Sequence, residues 1–266
     1  MRVYLCGGGF EEILCGVYDA WADPAGRGQT RLALARQEFQ PSFFEEYIRS
    51  VYEEEKFRKV FCSIQDKLSG QILDWVYRAS LSSDIERPDK IYRFLIEGFR
   101  RGPGVADQLQ LPPVHEIFKL CRFVGNESHR MTEFLRFSQT PWGFLLGRMG
   151  PENDVLPLIS GHFADRMPDE SWLIWDKNRK KASVHPSGRE WYLRQLSEEE
   201  NHRLEALSEG GEDGLDELAG TAGDGEDYEE LWKTFCHSIA IMERKNPRCQ
   251  MTHLPLRYRP YMTEFQ

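Results

Sequence analysis

The chain has 266 residues, 40% of them hydrophobic and 12% aromatic, with 34 Lys and Arg against 43 Asp and Glu for a formal net charge of −9. A chain of this length buries roughly 70–75% of the surface its unfolded form exposes, so folding requires neither a metal nor disulfides. The balance of apolar and charged residues excludes a disordered polymer, and no apolar run approaches the roughly 20 residues that cross a bilayer.

Residues 2–6 (RVYLC) read as a short strand, followed by a glycine turn and a helix from about Glu11 to Trp21. The opening has no long apolar core of a leader peptide, and the six cysteines (6, 15, 62, 121, 236 and 249) are scattered without a CxxC. Both features predict free thiols in a reducing cytoplasm. The turn GGGFEE matches neither phosphate-loop pattern, and two acids in the first helical turn would repel a phosphate.

Residues 42–137 read as mostly helical. Phe43, Phe44, Tyr47, Ile48 and Val51 recur at spacings of three and four, as do Ile91, Phe94, Leu95 and Phe99, and Val114–Val124 forms another helix. RGPG (101–104) and LPP (111–113) punctuate the run.

From about residue 130 short apolar segments replace the long periodic ones. HRMTEFLRF (129–137) and PWGFLLGRM (141–149) suggest a hairpin, PENDVLPLISGHFADRM (151–167) a helix with Asn153 or Asp154 as N-cap, and WLIWDKNRKKASVH (172–185) a second hairpin turning at DKNR. EWYLRQL (190–196) continues as a third strand, and Ser197 with Glu200 forms a capping box for a helix to about Ser208.

Residues 198–230 hold 14 acids and one base, so the remainder of the chain carries a net +4. Within that strip, residues 209–226 are acidic and glycine-rich and read as a linker, because they contain too little apolar surface to offset their ordering entropy. The strip also has the charge to compete with phosphates for a basic surface. A helix is expected over 228–245, followed by a basic tail over 244–266. The expectation is an α+β fold: a mainly helical part, 1–128, with a short N-terminal strand, then an α+β part, 129–266, in which a small antiparallel sheet packs with helices.

Four constellations could carry chemistry. If 130–137 is a strand, Arg130, Thr132, Phe134 and Arg136 share one face beside Glu127 and His129, an arrangement suited to phosphates and bases. His162 and Arg166 stack on one helix flank, where His162 reads as a partly buried histidine or a proton-transfer group. Asp176 and Arg179 flank the DKNR turn, whose Asp and Asn also suit a tight turn. Arg244, Lys245, Asn246, Arg248, Gln250, Arg257, Tyr258 and Arg259 form the densest basic segment, suited to phosphate contacts with amides reading base edges. Cys236, His237, Cys249 and His253 lack the tight spacing of a structural zinc site, and no metal or other cofactor is expected. Neither a GxSxG elbow nor an HExxH or deaminase pattern occurs.

The segments ESHRMTEFLRF (127–137), PENDVLPLISGHFADRMPDESWLIWDKNRKKA (151–182) and LWKTFCHSIAIMERKNPRCQMTHLPLRYRPYMTE (231–264) resemble, in order, a bacterial family of DNA-metabolism proteins of uncharacterised mechanism. Its members are typically encoded beside a radical SAM protein assigned to DNA repair or modification, and some are fused to a uracil-DNA-glycosylase-like domain. The likeness is specific over about 121–185 and 228–264 and holds only in outline before that. It implies DNA and a radical SAM protein as partners, and it supplies no established catalytic residue. His129, Arg130, His162, Phe163, Arg166, Asp176, Arg179, Arg244, Asn246, Pro247 and Gln250 match its motifs, while the acidic linker departs from them.

The resulting expectation is a cytoplasmic, membrane-independent DNA-binding accessory protein for repair or modification. Arg130, Arg136, Arg166, Arg179, Arg244, Lys245, Asn246, Gln250, Arg257 and Tyr258 would contact DNA. Radical chemistry would reside in the partner, because this chain has no CxxxCxxC to ligate an iron–sulfur cluster. Two alternatives stay open: a DNA-acting hydrolase or glycosylase using His129, His162 and Asp176, and a protein-interaction module that docks the radical SAM partner.

Overall fold

The computed structural model describes residues 1–35, 44–140, 143–208, 251 and 254–262. The chain divides into two compact units, Met1–Asn126 and Glu127–Gln266. The linker over 209–226, the helix expected over 228–245, and Arg244, Lys245, Asn246 and Gln250 lie outside the described residues.

In the first unit, strand β1 (Arg2–Cys6) leads into helix α1 (Phe10–Trp21). Glu12 closes the glycine turn, its carboxylate accepting the Gly9 N–H at 2.9 Å. A carboxylate therefore sits at the helix N-terminus where a phosphate would otherwise bind. Gly16 lets α1 approach the strand, since a Cβ there would stand 3.0 Å from the Cys6 Cβ. Helices α2 (Glu54–Lys67), α3 (Gly70–Ser80) and α4 (Arg87–Arg101) then bury Ile64, Ile72, Val76, Ile91, Phe94 and Leu95.

The sheet of this unit corrects the helical reading of 42–51. Glu46–Arg49 is a strand, β3, and Thr30–Leu34 is another, β2; each pairs in parallel with β1, giving the order β2-β1-β3. Both edges of β1 carry backbone donors and acceptors that need partners inside a core. The register Arg2↔Glu46 to Leu5↔Arg49 satisfies one edge, and the β-favouring Tyr47 and Ile48 fit that role.

Helix α5 (Pro112–Phe134) runs through the division between the units. It overturns the strand expected over 130–137. Val124, Glu127 and Met131, with Leu135 just past the helix end, are buried at helical spacing, and no proline interrupts the run. Strand β4 begins only at Phe137 (Phe137–Gln139) and pairs antiparallel with β5 (Leu145–Met149).

The second unit is built on a five-stranded sheet of order β4-β5-β6-β7-β8, with β6 over Trp172–Asp176, β7 over Lys181–His185 and β8 over Tyr192–Gln195. The α+β class holds, but the sheet is only mostly antiparallel: β5 and β6 are parallel, joined by α6 (Leu156–Arg166) as a crossover. Period-2 alternation divides β6 between two layers. The ring of Phe137 touches both Phe163 of α6 and Trp172, at 5.2 and 6.4 Å between centroids. On the other face Trp175 packs with Leu146 and with Leu204 of α7 (Glu198–Ser208), and its Nε1 donates to Asn201 Oδ1 at 3.0 Å. The capping box of α7 forms as expected, with Ser197 Oγ accepting the Glu200 N–H and the Glu200 carboxylate accepting the Ser197 N–H. The tail residues Leu256–Tyr261 form a 3-10 turn near β5 that buries Tyr258. No helix among the described residues is long and apolar enough to cross a membrane.

Candidate functional site

Parallel strands with a helical crossover offer a natural site outside their carboxyl ends. In this sheet that place is formed by residues 150–155 after β5 and 177–180 after β6. Both loops are held from beneath by buried carboxylates.

The first is Glu127 of α5, 1% exposed. Its oxygens accept the Glu152 N–H at 3.0 Å, the Asn153 N–H at 2.7 Å and Asn153 Nδ2 at 2.6 Å. Tyr258 Oη donates at 3.4 Å, and Arg257 Nη2 lies 3.6 Å away. The second is Asp176 at the end of β6, fully buried. Its Oδ1 accepts the backbone N–H of Asn178 and of Arg179, and its Oδ2 accepts Arg179 Nη1 at 3.0 Å. Burial pushes the Asp176 carboxyl above its ordinary value, outweighing the opposing pull of Arg179. Burial likewise raises the Tyr258 phenol, helped by the charge of Glu127.

Three cations complete the network. Arg179 also donates to the carbonyls of Pro151 and Glu152. Arg257 pairs with Glu152 and donates to Tyr258 Oη at 2.7 Å. Lys181 pairs with Asp154 at 2.8 Å. The loop after β5 is thereby clamped to α5, to β6 and to the tail. Lys177 stands apart: it is exposed, forms no ion pair among the described residues, and holds its ammonium 5.2 Å from the centroid of the Tyr261 ring.

These contacts redistribute the roles read from the sequence. Tyr258 is buried, Arg179 is half-buried against Asp176, and Arg257 is exposed but paired with Glu152 and Glu127. Arg130 is half-buried and interacts with Tyr258. Arg136 is half-buried and caps the end of α5, donating to the carbonyls of Glu133 and Leu135. Arg130 and Arg136 therefore do not share a strand face, because 130–134 is helical.

His129 is exposed and lies 3.0 Å from Glu133, one helical turn on. His162 is exposed rather than partly buried, with its ring edge-on to Phe163 at 5.1 Å. Arg166 is exposed at the end of α6. His129, His162 and Asp176 have separate partner sets with no residue in common. Asn153 is not the N-cap of α6: Val155 takes that position, and Asn153 is bound to Glu127.

Sequence reasoning missed the clamping roles of Asn153, Asp154 and Lys181 and the outward position of Lys177. A polar Pro-Glu-Asn-Asp segment between a strand and a helix was the available signal, since such a loop needs partners when it is buried. Among the described residues no cluster of three His, Cys, Asp or Glu side chains could hold a metal ion.

A family model, a domain of unknown function (DUF4130), matches residues 85–264, well over half of the chain. Comparison with curated proteins gives no match.

Proposed function

The chain belongs to the DUF4130 family, and from that premise we propose that it is a DNA-binding accessory of a DNA repair or modification system, working beside a radical SAM protein. The observation that carries the binding part is the unequal treatment of charge in the second unit. Its buried carboxylates Asp176 and Glu127 are already paired with Arg179 and Arg257, whereas Arg166, Lys177 and Arg189 are exposed with no carboxylate within ion-pair distance among the described residues. These outer cations are available to phosphates, although Asp165, Asp169, Glu170 and Glu190 are exposed in the same unit. Arg130 and Arg136 flank the end of α5, and the basic segment with Arg244, Lys245, Asn246 and Gln250 would add contacts to phosphates and base edges. The separate partner sets of His129, His162 and Asp176 favour a binding role over a hydrolytic one.

The test is fluorescence anisotropy with labelled single- and double-stranded oligonucleotides over a range of salt. The expected result is a linear fall of log affinity with log salt, with Arg166→Ala and Lys177→Ala each lowering the slope by about one. A slope near zero, or one unchanged by both substitutions, would overturn the assignment. The partner is tested by co-purification with a radical SAM protein of the kind the family resemblance implies. Retention of that protein through a salt wash is expected, and its loss at low salt rejects the pairing.

A further inference from the structure

The first unit contains a solvent-open cavity of about 320 Å³ between α1, α2 and α4, remote in sequence from the loops just described. One wall carries Tyr18 and Trp21 of α1, and Phe99 of α4 adds a third ring. The other wall is a stripe on α2: Lys59, Ser63 and Lys67 stand at intervals of four and so lie on one helix face. The apolar part is preorganised. Phe99 meets the Trp21 ring edge-on at 5.3 Å and 74°, and the Arg27 guanidinium lies over Trp21 at 3.9 Å from the centroid. The polar part is available. Lys67 is exposed with no ion pair among the described residues, and Lys59, paired with Glu55 across exposed side chains, holds its ammonium 5.6 Å from the centroid of the Tyr18 ring.

A packing defect between helices would be enclosed and aliphatic. This cavity is open, has aromatic rings on one side and places two ammonium groups and a hydroxyl on the other. Its volume falls at the small end of ligand sites. We propose that it binds a planar aromatic group carrying one anionic substituent, of the size of a single nucleotide. The ring packs against Tyr18, Trp21 and Phe99, and the anion is held by Lys67 and Lys59 with Ser63 donating between them. This inference stands apart from the DNA surface of the second unit. The same chemistry can arrive as a free nucleotide or as an unpaired nucleotide of a DNA strand.

The test uses the full chain. Deoxyadenosine monophosphate and deoxyadenosine are titrated separately, with saturation-transfer NMR reading the base protons, and a labelled single-stranded oligonucleotide is followed by anisotropy. Binding of the monophosphate should saturate and exceed that of the nucleoside, and Lys67→Glu should weaken it about fivefold. Ser63→Tyr, at a half-buried position on α2, should abolish it by filling the cavity, and an unchanged thermal melt confirms that both variants are folded. If Ser63→Tyr also weakens the oligonucleotide, the source is a DNA strand; if the oligonucleotide is unaffected while the monophosphate is lost, the source is a free nucleotide. Either result supports the site. No saturable binding of the monophosphate, equal binding of nucleoside and monophosphate, or indifference to Lys67→Glu overturns it. Because Arg166 and Lys177 are absent from this site, Arg166→Ala and Lys177→Ala leave the monophosphate arm intact, so the two proposals fail separately.

Discussion

Replacing Glu127 with alanine removes the acceptor on which the loop after β5 depends. Three donors, the N–H groups of Glu152 and Asn153 and the side-chain amide of Asn153, lose a carboxylate at 2.6–3.0 Å, and Arg257 loses one of its two counter-charges. A buried donor left without an acceptor costs about 1–3 kcal/mol. The losses are not additive, because water can enter the space left by the side chain and Arg257 keeps Glu152. A net loss of about 3–5 kcal/mol follows, the range for breaking a buried charge network. Glu127→Gln keeps the shape but turns an amide N–H₂ toward existing donors, so about 2 kcal/mol is expected for it. Urea unfolding followed by tryptophan fluorescence measures the global effect, and hydrogen exchange at the Asn153 amide measures the local one. A loss below about 1 kcal/mol for Glu127→Ala, with Asn153 still protected, would refute the reasoning.

Three further outcomes are expected. Gly150→Ala should destabilise by about 1–3 kcal/mol and release the tail, because the added Cβ would stand 2.3 Å from the Tyr261 hydroxyl; faster proteolysis beyond residue 254 reads the release. Ser197→Ala should cost about 1 kcal/mol by removing the acceptor for the Glu200 N–H, seen as earlier fraying of α7 in hydrogen exchange. Asp176 has a raised folded-state carboxyl, so it binds its proton more readily folded than unfolded. Its contribution to stability is therefore fully present below the ordinary carboxylate value and is lost as pH rises through the folded value. The stability of the natural chain relative to Asp176→Asn should rise on acidification across that window, and a difference flat with pH would contradict the assignment.

The boundaries that the sequence made legible are those set by local chemistry. The capping box of Ser197 and Glu200, the Asp-Lys-Asn-Arg turn and the glycine entry to α1 satisfy backbone groups within a few residues, so their signal is short-range. The strands β2 and β3 were not legible for the opposite reason. Tyr47 and Ile48 fit a helical stripe or a strand equally, and only the unpaired edge of β1 decides between them. The end of α5 was lost in the same way, because Met131 and Leu135 share one burial pattern with residues upstream that a short window does not weigh.

The candidate site divides along the same line. Its basic and acidic residues were visible as residue types, and Arg166 is exposed at the end of α6. Which cation is engaged is a property of the assembled unit: Arg179 meets the carbonyls of Pro151 and Glu152 and Arg257 meets Glu127, all distant in sequence, whereas Lys177, next to Asp176, forms no ion pair among the described residues.

Sequence alone determined the α+β class, the reach of α1 and α7 and the concentration of negative charge in one strip, because these depend on composition and on neighbours a few residues apart. The parallel pairing of strands, the engagement of Arg179, Arg257 and Tyr258 with the loop after β5 and with Glu127, and the cavity against α2 were decided only in three dimensions. Each needs a partner tens of residues away, and the free energy of burying a charge or completing a sheet edge exists only once that partner has arrived.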